Sequence, residues 1–569
     1  MSSTSTPVPF GAAMREQFCL DPEWKNLNHG SYGTYPLPIR AALQSHQHLA
    51  ESRPDLFIRR TSPALSAESL GQLSSLLNVP ASTLAFTKNA TTAVATVLHN
   101  IPFTDSDVVI YFDTVYGAVE YGLFSLAERS PVQLRKVEYE LPITHEEIVK
   151  RFRELVQKVK NEEGLNVKAA VFDTVVSMPG VRFPWERLVE ACRELGVLSV
   201  VDGAHGIGMF EIDLGKVRPD FWGSNLHKWL YVPRGCAVLY VAPEHQHLIR
   251  TTLPTSWGYI PASTEPEPAR DPETTARAYR NLLQSTATND DTPYHCVPAA
   301  LTFRKEVCGG EKHIYSYLET LANQAADSVA ATLGTEVLQE PGLKPGEKSL
   351  LRACALNNVR LPIAVQTGTN NSGEKEMDWT AAPGTEGSLY APLPAALAGQ
   401  VAVWIQGKLL DEYKTFVPVF VYKGWLWTRL SAQVYLELKD FEWVGGVLKE
   451  LKFVTTYTSS SCQSPIPLHQ LLPPPNRLRN HAATPEPSRL LRRGSSDPDH
   501  GDDHDENDCV LHPDGDCPPR VWLCPFSPPL ERRGAGSGLS GMTAGLFLVP
   551  SGSIGLVSGL TSDLIQLEH

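Results

Sequence analysis

Two short apolar runs, each ending in polar residues, constrain this chain more than any other feature. Val200-Val201-Asp202-Gly203-Ala204-His205 closes one run with an acid, and Ser224-Asn225-Leu226-His227-Lys228 closes another with a lysine. Short runs of branched apolar residues bounded by polar residues and glycine read as strands buried on both faces. In an open parallel sheet, ligands sit outside the carboxyl ends of the strands. The two runs therefore bring an acid and an amine to one crevice.

The same signal recurs along the chain. Val108–Phe112, Ala169–Phe172, Leu198–Val201 and Ala237–Val241 are strand-like, and amphipathic stretches such as His145–Val159 and Trp185–Leu195 lie between them. Strands alternating with helices predict an α/β fold, a mostly parallel sheet with helices on both faces. Glu311–Leu333 reads as a long helix leading to a smaller α+β domain. Cys354–Ile363 and Gly424–Leu430 would be its strands and Phe441–Leu451 its closing helix. The expected organisation is an N-terminal arm (1–30), a large domain (31–310), a small domain (311–455) and a disordered low-complexity tail (456–569). That tail lacks hydrophobic periodicity, and seven acids fall between Asp497 and Asp508 without a Lys or Arg.

A chain of 569 residues is long enough for two or three domains. Its formal charge of −13 argues against a nucleic-acid partner. The ten cysteines show no paired metal spacing, so no metal site is expected, and Cys236 and Cys296 sit in apolar surroundings that suit reduced thiols. Met1–Gly11 has neither a basic nor an apolar leader segment, and glycine, serine and Pro550 interrupt the mildly apolar Leu539–Leu560. The expectation is a cytoplasmic protein with no membrane partner.

The candidate chemistry starts from Lys228. A lysine that attacks a carbonyl must lose its proton, which a desolvated pocket favours. Alone, Lys228 reads as a surface lysine at a strand end; with Asp202 it reads otherwise. A lysine that forms a Schiff base and an acid that holds a pyridinium nitrogen are the groups pyridoxal 5′-phosphate needs most. Asp202 as a helix N-cap is the competing reading. His205 either contacts the ring or is a satisfied structural histidine. Asn89, Ala90 and Thr91 open a helix-like stretch, where backbone amides suit a phosphate, although Asn89 alone reads as a simple N-cap. Tyr116 either stacks on the cofactor or packs in the core. Arg429, a charge inside the apolar Trp425–Ser431, suits a substrate carboxylate or an internal salt bridge.

As a set, these segments resemble the class V aminotransferase family of fold-type I PLP-dependent enzymes, within it the isopenicillin N epimerase-like branch that includes fungal hercynylcysteine sulfoxide lyases and alkaloid-pathway enzymes. The resemblance rests on Leu27–Tyr35 (LNHGSYGTY), Lys88–Thr91, Asp173–Pro184 (DTVVSMPGVRFP), Val201–Gly208 (VDGAHGIG), Ser224–Lys228 (SNLHK), Thr286–Asp290 and Trp427–Glu442, and spans roughly residues 20 to 455. It implies a seven-stranded-type sheet and a catalytic set of Lys228, Asp202, Tyr116 and His205. Ser177 and His205 would lie by the ring. Asn89, Ala90, Thr91, Asn225 and His227 would surround the phosphate, and Thr288 would reach it across a homodimer interface with shared sites. Asn28, His29 and Arg429 would bind a small amino-acid substrate. Cys354 reads as buried, which disfavours a persulfide-forming desulfurase. The expected reaction is C–S β-elimination on a cysteine-derived sulfoxide. The alternatives are an epimerase or aminotransferase-like enzyme of secondary metabolism, and a catalytically silent binding protein.

Overall fold

Branched residues on alternate sides of each central strand decide the architecture. Val108, Ile110 and Phe112 enter one hydrophobic core, while Val109 and Tyr111 enter another. A strand with both faces apolar must be covered on both. The first core is completed by helices Ser62–Leu77, His145–Asn161 and Trp185–Leu195, the second by Ala90–Asn100 and Gly117–Arg129. Each fully buried Val, Leu, Ile or Phe contributes roughly 1.5–3 kcal/mol, so this sandwiching holds the sheet. A computed structural model describes residues 6–259, 261, 272–284, 288–366 and 391–460.

The central sheet has seven strands in the order Leu84–Thr87, Ala237–Val241, Phe221–Asn225, Leu198–Asp202, Asn166–Asp173, Asp107–Phe112, Gln133–Val137. The strand Ala237–Val241 runs antiparallel to both neighbours and the other pairings are parallel. The α/β fold read from the sequence is therefore the fold observed. Register matters at one level: Asp173 pairs with Asp202, and Asp202 with Gly223. Three neighbouring strands thus end side by side, immediately before the turn that carries Lys228.

Helix Glu311–Leu333, stopped by Gly334 in the left-handed conformation (φ 66°), leads to a second sheet. Its order is Ala391–Pro394, Leu356–Gln366, Trp425–Ser431, Val419–Tyr422. The helix packs on Leu438–Ser460 and on Leu356–Gln366. Leu438–Ser460 continues past the boundary expected at 455. The expected tail beyond it, the acidic run and Leu539–Leu560 lie outside the described residues, as do 286 and 287 of the Thr286–Asp290 motif. Among the described residues, no helix is long and apolar enough to cross a membrane.

Candidate active site

Lys228 sits in the four-residue helical turn Leu226–Trp229, directly after strand Phe221–Asn225. Burial, then the nearby Arg429 charge, pull its amine down to about 8, against the opposing pull of Asp202 and Asp173. Its Nζ lies 3.1 Å from His205 Nε2. An amine in this state is a ready nucleophile near neutral pH.

The backbone of this turn is clamped from remote elements. Arg304, fully buried, donates from Nη1 to the Trp229 carbonyl (2.8 Å) and from Nη2 to the Gly208 carbonyl (3.0 Å). It is held in turn by Glu311, with Nε 2.6 Å from Oε1 and Nη2 on Oε2. His29 Nε2 bonds to the Lys228 carbonyl and Nδ1 to the Tyr435 hydroxyl (2.9 Å). Burial holds the His29 imidazole neutral, down to about 3. Gly33, at φ 65°, lies so close that a Cβ would overlap the His227 carbonyl oxygen. The NHGSYG segment is thus a bed for the lysine turn. His29, expected in the substrate pocket, is corrected to a brace, because both its ring nitrogens are taken by protein groups.

Asp202 is buried (2 % exposed) at the end of its strand, and its Oδ1 accepts from the Ala204 N–H at 2.9 Å. Burial pushes its carboxyl upward, opposed by that N–H and by Lys228. Asp173, its register partner, is buried too and is pushed well up, first by burial and then by the Asp202 charge. Two adjacent carboxyls in a dry site favour sharing one proton. Sequence reasoning gave Asp173 no role; the signal was its place at the end of the Ala169–Phe172 run. Tyr116 is half-buried and its hydroxyl is pushed up by burial, then by the charges of Asp202 and Tyr32.

The turn opening helix Ala90–Asn100 lies alongside. Gly223 lets it approach: a Cβ there would come 2.7 Å from the Ala93 Cβ. The Asn89 side chain accepts from the Thr92 N–H (2.8 Å), and Asn225 Oδ1, three residues before Lys228, accepts from the Ala90 N–H (2.9 Å). Asn89 is therefore an N-cap, and the Ala90 amide, expected to face a phosphate, is already used by Asn225. The Thr91 amide of that first turn takes neither acceptor. His227 Nδ1 donates to the Cys236 carbonyl (3.1 Å), and burial lowers this imidazole to about 4. Thr288 is exposed.

Arg429, 2 % exposed, donates from Nη1 to the Ser177 carbonyl (2.8 Å) and hydroxyl (3.4 Å), and from Nη2 to Asn28 Oδ1 (2.8 Å) and Ser31 Oγ (2.9 Å). These oxygens are neutral, so they orient the guanidinium without cancelling its charge. Gly180 makes room: a Cβ there would stand 2.8 Å from Arg429 Cδ. Asn28 and Ser177 thus serve Arg429. Cys354 is buried, donates to the Leu356 carbonyl (3.1 Å) and has its thiol pushed up to about 11 by burial.

A family model, aminotransferase class-V, matches residues 66–258. The L-cysteine desulfhydrase-like protein lolT1 of Epichloe uncinata is 40% identical over 457 residues, 79% of this chain and 97% of that protein. The chain belongs to the class V aminotransferase family. The hercynylcysteine sulfoxide lyase of Schizosaccharomyces pombe is 28% identical over 444 residues, covering 78% and 97%. A cystine C–S lyase solved with its product cysteine persulfide superposes with a TM-score of 0.58 at 15% identity, covering 75% of this chain and 98% of that one, which is a likeness of fold.

The donor set fits the cofactor that the family resemblance implies. A buried amine with a lowered pKa, a buried acid at a strand end and a helix N-terminus suit an aldehyde, a ring nitrogen and a phosphate.

Proposed function

We propose that this chain is a pyridoxal phosphate-dependent C–S β-lyase acting on a cysteine-derived sulfoxide. The observation that carries the reading is the buried Lys228 amine, set between the Asp202–Asp173 acids and Arg429. The two relatives named above support lyase chemistry on sulfur amino acids. Cofactor bound at Lys228 supplies an electron sink for the pair left on Cα. Arg429, preset by Asn28, Ser31 and Ser177, receives the substrate carboxylate. Asp202 would hold the ring nitrogen, where its buried carboxylate would gain a positive partner. Lys228 would take the Cα proton. The Cβ–S bond would then break, its electrons leaving on sulfur as a sulfenate that takes the proton back from Lys228, while the Cα pair forms a Cα=Cβ double bond; water hydrolyses the released enamine to pyruvate and ammonia. Tyr116 and His205 would line the seat of the ring. His227 and the Thr91 amide would hold the phosphate, and Thr288, exposed on its own chain, would complete that seat in a second copy. Buried Cys354, with its raised thiol, argues against a persulfide carried there.

The test is pyruvate release from S-alkyl cysteine sulfoxides by the purified protein with added pyridoxal phosphate, lost in Lys228→Ala. Deuterium wash-in at Cα of the amino acid without pyruvate would overturn the lyase reading in favour of epimerisation.

A further inference from the structure

We propose that Trp229 is a positioning residue: its indole N–H fixes the tautomer of His205, so that His205 donates to the Lys228 amine and cannot accept from it. The inference rests on the reading of Lys228 as the amine that takes the cofactor. Trp229 Nε1 lies 3.2 Å from His205 Nδ1, and both side chains are buried. An indole N–H is a donor only. His205 Nδ1 must therefore carry the lone pair, and the proton of the neutral ring sits on Nε2. A second proton on this ring would meet the indole hydrogen head-on, so the imidazolium is excluded while Trp229 stays in place.

His205 Nε2 is the atom 3.1 Å from Lys228 Nζ. With a proton on Nε2, the amine must supply the lone pair, which only the free base has. The chain Trp229 to His205 to Lys228 thus runs in one direction and opposes an ammonium at its end. The indole has little freedom to leave. It packs against His29, with ring centroids 5.4 Å apart, and a Cβ on Gly30 would lie 3.3 Å from it. Its own carbonyl is held by Arg304. The other charged or titratable groups facing Lys228 are Arg429 from strand Trp425–Ser431, Asp202 and Asp173 from the two central strands, and His227 in its own turn. Arg429 favours the free base and the two acids oppose it. The Trp229–His205 pair tips this contest by hydrogen-bond polarity rather than by charge.

Trp229→Phe tests this, because it keeps an aromatic ring and removes the N–H. His205 is then free to place its proton on Nδ1 and accept from a Lys228 ammonium. The readout is the rate at which cofactor-free, full-length protein takes up pyridoxal phosphate, followed by visible absorbance across pH. The wild type should show a midpoint set by an amine of depressed pKa. Trp229→Phe should move that midpoint up by about one pH unit, so that uptake near pH 7 slows about tenfold. A Gln at 205 has an acceptor oxygen and a donor nitrogen that reproduce the polarity. His205→Gln should keep the wild-type midpoint, and His205→Leu should raise it. An unmoved midpoint in Trp229→Phe overturns the proposal. If that variant fails to fold, equal midpoints for His205→Gln and His205→Leu overturn it instead. Failure of the wild type to take up pyridoxal phosphate through Lys228 would instead defeat the cofactor reading itself.

Discussion

Two turns meet beside the central sheet, one after strand Leu84–Thr87 and one after strand Phe221–Asn225, which Ala237–Val241 separates, and they are held by different proportions of local and remote contacts. The turn at Asn89–Thr92 is held mainly by its own neighbours, a side chain capping an amide three residues on, with one remote acceptor, Asn225, on the Ala90 amide. The turn at Leu226–Trp229 is held from far away, by Arg304 at a separation of 75 residues and His29 at 199. The first needs only hydrogen-bond acceptors at a helix start. The second must hold a desolvated amine, so its carbonyls are fixed by buried groups that belong to other parts of the fold. The turn that opens a helix takes its cap from its own neighbours and one acceptor from strand Phe221–Asn225. A turn that carries a reactive group recruits the rest of the molecule.

The contrast is sharpest when the remote clamp is removed. Arg304→Met leaves Glu311 without its partner and frees the Trp229 and Gly208 carbonyls. The expected loss is about 3–5 kcal/mol, read as a fall in the denaturant midpoint together with loss of cofactor uptake. Next is Gly33→Ala. The left-handed backbone alone costs roughly 1–2 kcal/mol, and overlap with the His227 carbonyl adds displacement of the lysine turn. Uptake should fail in protein that remains folded by circular dichroism; normal uptake would mean the NHGSYG bed is not needed.

Acid probes the same clamp. His29, with a folded value of about 3 against 6.5 unfolded, binds its proton more readily in the unfolded chain. The unfolded state therefore gains protons first as pH falls from 6.5 toward 3, and stability is lost across that window. His227 and His295, each lowered to about 4, act in the same direction. The melting temperature should drop through this range, and less steeply in His29→Asn; an unchanged slope would remove His29 from the clamp. The smallest effect is expected at the local turn. Asn89→Ala should cost about 1 kcal/mol and weaken phosphate affinity modestly, without altering the Lys228 pH profile.

The same division explains what the sequence disclosed. Trp185–Leu195 and Glu311–Leu333 were legible because apolar spacing, an Asp or Glu in the first turn and a closing glycine act within the segment. Asp202 and Lys228 were legible because each follows an apolar run. Asp173 ends its strand in the same way, yet its importance lies in register with Asp202, a property of pairing rather than of either segment. Arg304 carries no local sequence signal of its role, and only the fold brings it under the Trp229 carbonyl. His29 was recognised as notable but given the wrong office, since a motif does not say which way a ring faces. Asn89 likewise turned out to cap its helix, the plainer of its two readings.

Gly33 carries a last consequence. Because the N-terminal segment is pressed against the carbonyl beside Lys228, the chemistry is wired to the first few dozen residues as firmly as to the sheet. A protein trimmed there, or joined to a bulky neighbour that lifts those residues, would retain every reacting group and still present its amine at the wrong angle.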